Sequence, residues 1–163
     1  MENKNERNHK NMEGSNYTKF FLMLGASFLA MYVTMYLNTY QIDHVYFSLT
    51  RFYMTCLGIS TMAVIMLLFM LKMYKDKKKN IAILVGSFVL FIGALALVRA
   101  QKPIIGDVLW MKAMIPHHSI AILTSERADI EDTEVKKLAD DIIKAQKKEI
   151  EEMKMMIERL ESK

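Results

Sequence analysis

Three long apolar runs, all before residue 100, constrain this chain more than any other feature of it. They cover about residues 17–37, 52–73 and 81–98. The hydrocarbon core of a bilayer is about 30 Å thick, and a helix of about 20 apolar residues crosses it. In lipid a spanning segment must satisfy its own backbone hydrogen bonds, so each run is expected as a helix. Tyr17, Tyr36, Tyr40, Tyr53 and Tyr74 fall near the ends of the runs, where an interfacial aromatic belt would sit. The first run is too long for the apolar core of a signal peptide and no A-x-A-like site follows it, so it reads as a retained anchor.

Charge divides the chain in the same place. Residues 1–102 carry twelve Lys and Arg against five Asp and Glu, whereas residues 103–163 carry ten against thirteen. A basic membrane part is thus followed by an acidic soluble part. The basic residues lie beside apolar spans and not along an aromatic-laced face, which excludes nucleic acid as a partner. Two prolines and six glycines leave little turn chemistry for a sheet, and the expected class is all-α. Cys56, the single cysteine, rules out an internal disulfide and thiolate metal motifs.

Lys72, Lys75, Lys77, Lys78 and Lys79 mark the loop after the second span as cytoplasmic by the positive-inside rule. Lys4, Arg7, Lys10 and Lys19 place the N-terminus on the same side. An odd number of spans puts the rest of the chain outside the cytoplasm, anchored in an inner or plasma membrane. The expected organisation is a disordered cytoplasmic tail at 1–16, a membrane region at 17–98 and a two-helix extracytoplasmic domain at 103–161. The short polar-aromatic loop between the first two spans holds Asp43 and His44, which could serve a membrane-proximal site, but a plain interfacial loop is the favoured reading.

In the soluble part, Pro103 and Gly106 punctuate the exit from the third span, and Asp107 suits a helix first turn. A helix is expected from about Ile105 to Arg127, and a second, capped by Asp132 or Thr133, to about Leu160. At about 100° per residue, Ile104, Val108, Met111, Ile115, His118 and Ile122 share one face of the first. Val135, Ala139, Ile142, Gln146, Ile150, Met153 and Ile157 share one face of the second. Asp140–Lys144, Lys147–Glu151 and Lys148–Glu152 pair on its solvated side. Two such helices bury too little to stand alone, so the hairpin must pack on another copy, giving a four-helix bundle, or on the membrane part, and a homodimer is favoured.

One stretch carries chemistry. Met111, Met114 and His118 recur at i, i+3 and i+7, bringing two thioethers and an imidazole into one arc of a helix. Thioether sulfur is soft and suits Cu(I). Met153, Glu149 and Met156 on the facing helix can add to it. His117 points about 100° away from His118, towards a second partner or water. Pro116 frees the Lys112 carbonyl and is expected to kink the helix. The same methionines also fit ordinary core packing, since fifteen occur in the chain. Enzyme readings fail: there is no H-E-x-x-H, no set of two Glu-x-x-His motifs as a carboxylate-bridged di-iron bundle uses, no phosphate-cradling glycine loop and no strand-elbow setting for Ser119 beside His118.

The pattern Asp107-x-x-Trp110, Met114-Ile115-Pro116-His117-His118, Ala121-Ile122, Leu138-Ala139, Ile142-Ile143, Gln146, Glu149-Ile150 and Met153 resembles the bacterial family called domain of unknown function 305. The resemblance implies a ferritin-like helical fold and, from some members, extracytoplasmic copper binding. Carried over to this chain, it implicates Met111, Met114, His117, His118 and Met153 as copper ligands, with Cu(I) favoured. Thr124 stands where a further methionine is often found, which removes one thioether. The expected function is copper sequestration or hand-over to a metal-handling partner protein. The alternative is a structural module whose hairpin only assembles the protein.

Overall fold

The computed structural model describes residues 4–102 and 104–162, with side chains from Gly14 onward. Pro103 lies outside them. Among the described residues there are five helices, a single 3-10 turn at Ile42–His44 and no strand. The helices are α1 (Lys4–Thr34), α2 (Leu49–Phe69), α3 (Lys77–Ala100), α4 (Asp107–Arg127) and α5 (Thr133–Glu161). The all-α expectation holds, and three helices are long and apolar enough to cross a membrane: Gly14–Thr34, Leu49–Phe69 and Lys77–Ala100. Helical backbone begins at Lys4, ahead of the apolar run, because a turn added to an existing helix needs no new nucleus. The first spanning helix stops at Thr34, three residues short of the expected end, in consecutive turns whose amides bond back to Val33 and Thr34.

The chain forms two compact units. One contains the residues up to Tyr32 together with Phe52–Ala100. Its core gathers Tyr17 and Phe20 of α1, Ala63 and Leu67 of α2, Ile83 of α3 and Tyr74 from the connection between α2 and α3. The Tyr74 ring centroid lies 5.1 Å from that of Tyr17 and 5.4 Å from that of Phe20. Polar bonds close this end. The Tyr17 hydroxyl donates to Asn80 Oδ1 at 2.7 Å, and Asn80 Nδ2 donates to the Tyr74 carbonyl at 2.7 Å. Asp76 Oδ1 accepts from the backbone N–H groups of Lys78 and Lys79, satisfying first-turn donors of α3.

Further along, α2 approaches α1 at Gly58, where a Cβ would stand 2.9 Å from Met31 Sδ. Ser60 and Thr61 return their hydroxyl hydrogens to the Leu57 carbonyl, so neither polar group is left unmet inside the span.

The second unit joins Val33–Arg51 to residues 101–163. Gln101 turns the chain out of α3 in the left-handed region, with φ 52°, and its carbonyl accepts from Ile104 and Ile105. Helices α4 and α5 then form a hairpin. Asp132 caps α5 as expected, its Oδ1 accepting from Glu134 N and Val135 N at 2.9 Å each. The core of the hairpin is Met111, Ile115 and Ile122 against Ile150, Met153 and Ile157. Helix α4 runs on through Pro116.

The unit is wider than the hairpin alone. The segment between the first two spans packs on it through Tyr40 and Tyr46.

Candidate functional site

Helix α4 buries two faces, for a reason visible in its composition. It is apolar nearly all round, whereas α5 has one sharply apolar side and one charged side. Met111, Ile115 and Ile122 face α5, while Pro116 and Ser119 are also enclosed. Ser119, wholly buried, meets the segment before α2. Its Oγ accepts from Tyr40 N at 2.7 Å and lies 3.0 Å from His44 Nδ1. The hydroxyl has a second lone pair and its own proton, so it can serve His44 Nδ1 as donor or acceptor according to the ring's tautomer.

His44 is itself buried, 4% exposed, and burial holds its pKa below the ordinary 6.5. Asp43 next to it accepts from Lys154 Nζ at 2.7 Å, and Lys154 reaches Glu151 at 3.2 Å. The hydrogen bond from Lys154 pulls the Asp43 carboxyl below its ordinary 3.8. On Lys154 the bonds to both carboxylates outweigh the effect of burial and raise its pKa. Arg51 reaches back to the Pro116 carbonyl at 3.5 Å and lies over the Tyr36 ring.

His44, Asp43 and Ser119 are thus structural members of this unit, a role that sequence reasoning did not give them. The only signal available was the adjacent Asp43-His44 pair in an otherwise short loop, and it names no partner.

The residues expected to carry chemistry divide into three groups. Met111 and Met153, from opposite helices, enter the same buried cluster, and Met114 packs against it partly covered. His118 lies one turn beyond Met114 on α4, its side chain 15% exposed, and its Nδ1 is enclosed without a hydrogen-bond partner. Glu149 Oε2 of α5 stands 3.2 Å from that atom but out of line for a hydrogen bond; instead Gln146 donates to the same oxygen at 3.4 Å. Burial pushes the His118 pKa below 6.5, with Glu149 pulling the other way and His117 adding to the fall. His117 is exposed, its ring centroid 6.3 Å from that of His118 at a tilt of 60°, so the two histidines do not converge. Met156 is 45% exposed, outside the core. Thr124 faces outward and bonds back to Ile120 O.

Among the described residues no three His, Cys, Asp or Glu side chains gather to hold a metal. Any site here therefore depends on the thioethers. Thioethers and an enclosed imidazole nitrogen are donors that suit a soft cation, and the set does not fit zinc or a carboxylate-bridged iron pair.

These features define an all-helical membrane protein carrying a helical hairpin unit. Residues 96–163 match the model of the domain of unknown function (DUF305) family. An uncharacterized protein of Acanthamoeba polyphaga mimivirus is 33% identical over 146 residues, covering 88% of this chain and 93% of that protein. The chain belongs to one family with that viral protein. No solved structure matches it.

Proposed function

We propose that the hairpin unit binds copper as Cu(I), outside the cytoplasm, for sequestration or hand-over to a metal-handling partner. The observation that carries this reading is His118 Nδ1, enclosed without a hydrogen-bond partner on the helix whose Met111 and Met114 join Met153 in the hairpin core. A buried polar atom left unmet costs about 1–3 kcal/mol, and a cation accepted by its lone pair removes that cost. Met111, Met114, Met153 and His118 would hold the ion, Glu149 would balance its charge, and exposed His117 would meet it on entry. Thioether ligands supply affinity for the soft ion with no proton to lose. The excess of Lys and Arg around the 70–79 connection and the N-terminal segment supports a cytoplasmic position for both, hence an extracytoplasmic hairpin.

A second reading has its own observation. Trp110, Leu138 and Met156 remain 49%, 59% and 45% exposed on the hairpin, an apolar surface that a second copy would cover to make a four-helix bundle. In that reading the hairpin only assembles the protein and the buried methionines only pack.

A titration of the full chain with Cu(I) against a competing chelator separates the two. Met→Leu changes conserve volume, so the variant with Met111, Met114 and Met153 all changed to Leu keeps its fold. The metal reading expects copper binding by the native chain and its loss in that folded variant. No competition by the native chain leaves the assembly module, and competition kept in full by the leucine variant overturns the thioether site.

A further inference from the structure

The three-helix unit contains a cleft of about 600 Å³. Phe21, Leu24 and Phe28 of α1 form one wall and Ile83 and Leu90 of α3 the other, over a floor of Ile59, Ser60 and Ala63 from α2. Its lining runs from Tyr17 to Phe28 on α1 and from Lys79 to Leu90 on α3, eleven residue steps on each helix. At 1.5 Å per step that is about 16 Å, the depth of one leaflet of a hydrocarbon core about 30 Å thick.

Glycine marks both walls, and neither glycine admits a neighbouring helix of this chain. A Cβ built on Gly25 or Gly86 meets nothing within 4 Å, so both face open space inside the cleft.

One end of the cleft is strongly basic. Lys79 Nζ lies 4.9 Å from the centroid of the Tyr17 ring, at the polar end of both walls. Residues 75–79 hold four lysines and one acid, Asp76, whose Oδ2 stands 3.7 Å from Lys79 Nζ and whose Oδ1 caps α3. The opposite end is apolar, and so are the walls apart from Ser87. An elongated apolar slot one leaflet deep, basic only at its interfacial end, is complementary to a lipid with a negative headgroup.

We propose that this cleft seats an acyl chain of one anionic phospholipid, with the phosphate held at Lys79 and its neighbouring lysines. A second copy of the chain is a poorer occupant. Copies sharing one membrane orientation would bring their lysine clusters together at the same end of the cleft, like charge against like.

The test uses the full chain in mild detergent and native mass spectrometry, with dioleoylphosphatidylglycerol and dioleoylphosphatidylcholine offered at equal concentration. The expected result is one tightly retained phosphatidylglycerol, favoured over phosphatidylcholine. Lys79→Gln should weaken its retention about fivefold, the effect of one lysine at a membrane surface, and leave phosphatidylcholine unchanged. Gly86→Leu and, independently, Gly25→Leu place a side chain in open space, so each should fold, checked by circular dichroism, and lose retention of both lipids. Equal retention of the two lipids by the native chain would overturn the proposal. So would undiminished phosphatidylglycerol on a folded Gly86→Leu chain, which would assign binding to surface lysines alone. Conversion of a native dimer to a monomer by either leucine would give the cleft to a second copy instead.

Discussion

Replacing Ser119 with alanine removes a single oxygen from the wholly buried contact between α4 and the segment before α2. Two partners lose it at once: the Tyr40 amide, 2.7 Å away, and His44 Nδ1, 3.0 Å away. Each buried polar group left unmet costs about 1–3 kcal/mol. Tyr40 is half-buried and water can reach part of its backbone, so the two together should come to about 2–4 kcal/mol. That cost falls on the closed position of the segment. Its 3-10 turn is held by His44 N bonding Gln41 O at 3.2 Å and Val45 N bonding Ile42 O at 3.1 Å, and these amides report when it opens. At about 1.4 kcal/mol per decade, their hydrogen exchange should quicken roughly 30- to 700-fold, with the amides of α1 unchanged. Thr124→Ala on the same helix is the control, since that hydroxyl is exposed and bonds only to its own helix. Exchange at His44 and Val45 that quickens less than about threefold in Ser119→Ala would refute the claim that Ser119 latches the segment.

Three further outcomes follow from the same geometry. Asp132→Ala removes the acceptor of two first-turn amides and should cost about 1 kcal/mol, read as a lower denaturant midpoint for α5 with no change in copper binding. His44 and His118 are both held below 6.5 by burial, so the unfolded chain binds more protons than the folded one once the pH drops below about 6.5. Stability of the hairpin unit should therefore be full at pH 7.5 and fall on acidification to pH 5.5, in thermal melts, with a shallower fall in His44→Gln; a flat profile would contradict the buried, neutral rings. For the orientation, a cysteine introduced at exposed Glu131 should react with a membrane-impermeant maleimide on intact cells, and one introduced at Lys77 should react only after lysis.

Much of this architecture is legible in residue order because it rests on local signals. Three apolar runs mark the membrane-length helices, and Asp132 before an amphipathic stretch marks the start of α5 within one residue. Helix α5 has a single buried side, so its periodicity correctly names Ala139, Ile150, Met153 and Ile157. Val135 shares that phase yet stays 50% exposed in the first turn of α5, beside the connection to α4.

Helix α4 is harder to read. With apolar residues on nearly every side, one projected face accounts for Met111, Ile115 and Ile122 but not for Pro116 and Ser119. Ser119 meets Tyr40 and His44, and Pro116 meets Arg51, all from a segment far earlier in the chain, and no period encodes contacts of that kind. For the same reason Asp43 and His44 read as an interfacial loop, while the fold uses both to fasten that loop to α4 and α5. Of the candidate ligands, helical spacing brings Met111, Met114 and His118 together. It also separates His117, which the structure leaves exposed.

The segment before α2 also decides what must be measured. A fragment of the hairpin alone would lack Tyr40, His44 and the bonds they make to Ser119, so the full chain is the proper sample. The most direct test of copper binding is X-ray absorption at the copper edge on full-length protein loaded with one equivalent of Cu(I). The account predicts scattering from sulfur together with one imidazole nitrogen, with sulfur lost when Met111, Met114 and Met153 become leucine and nitrogen lost in His118→Ala. Scattering from nitrogen and oxygen alone, unchanged in the leucine variant, would contradict it.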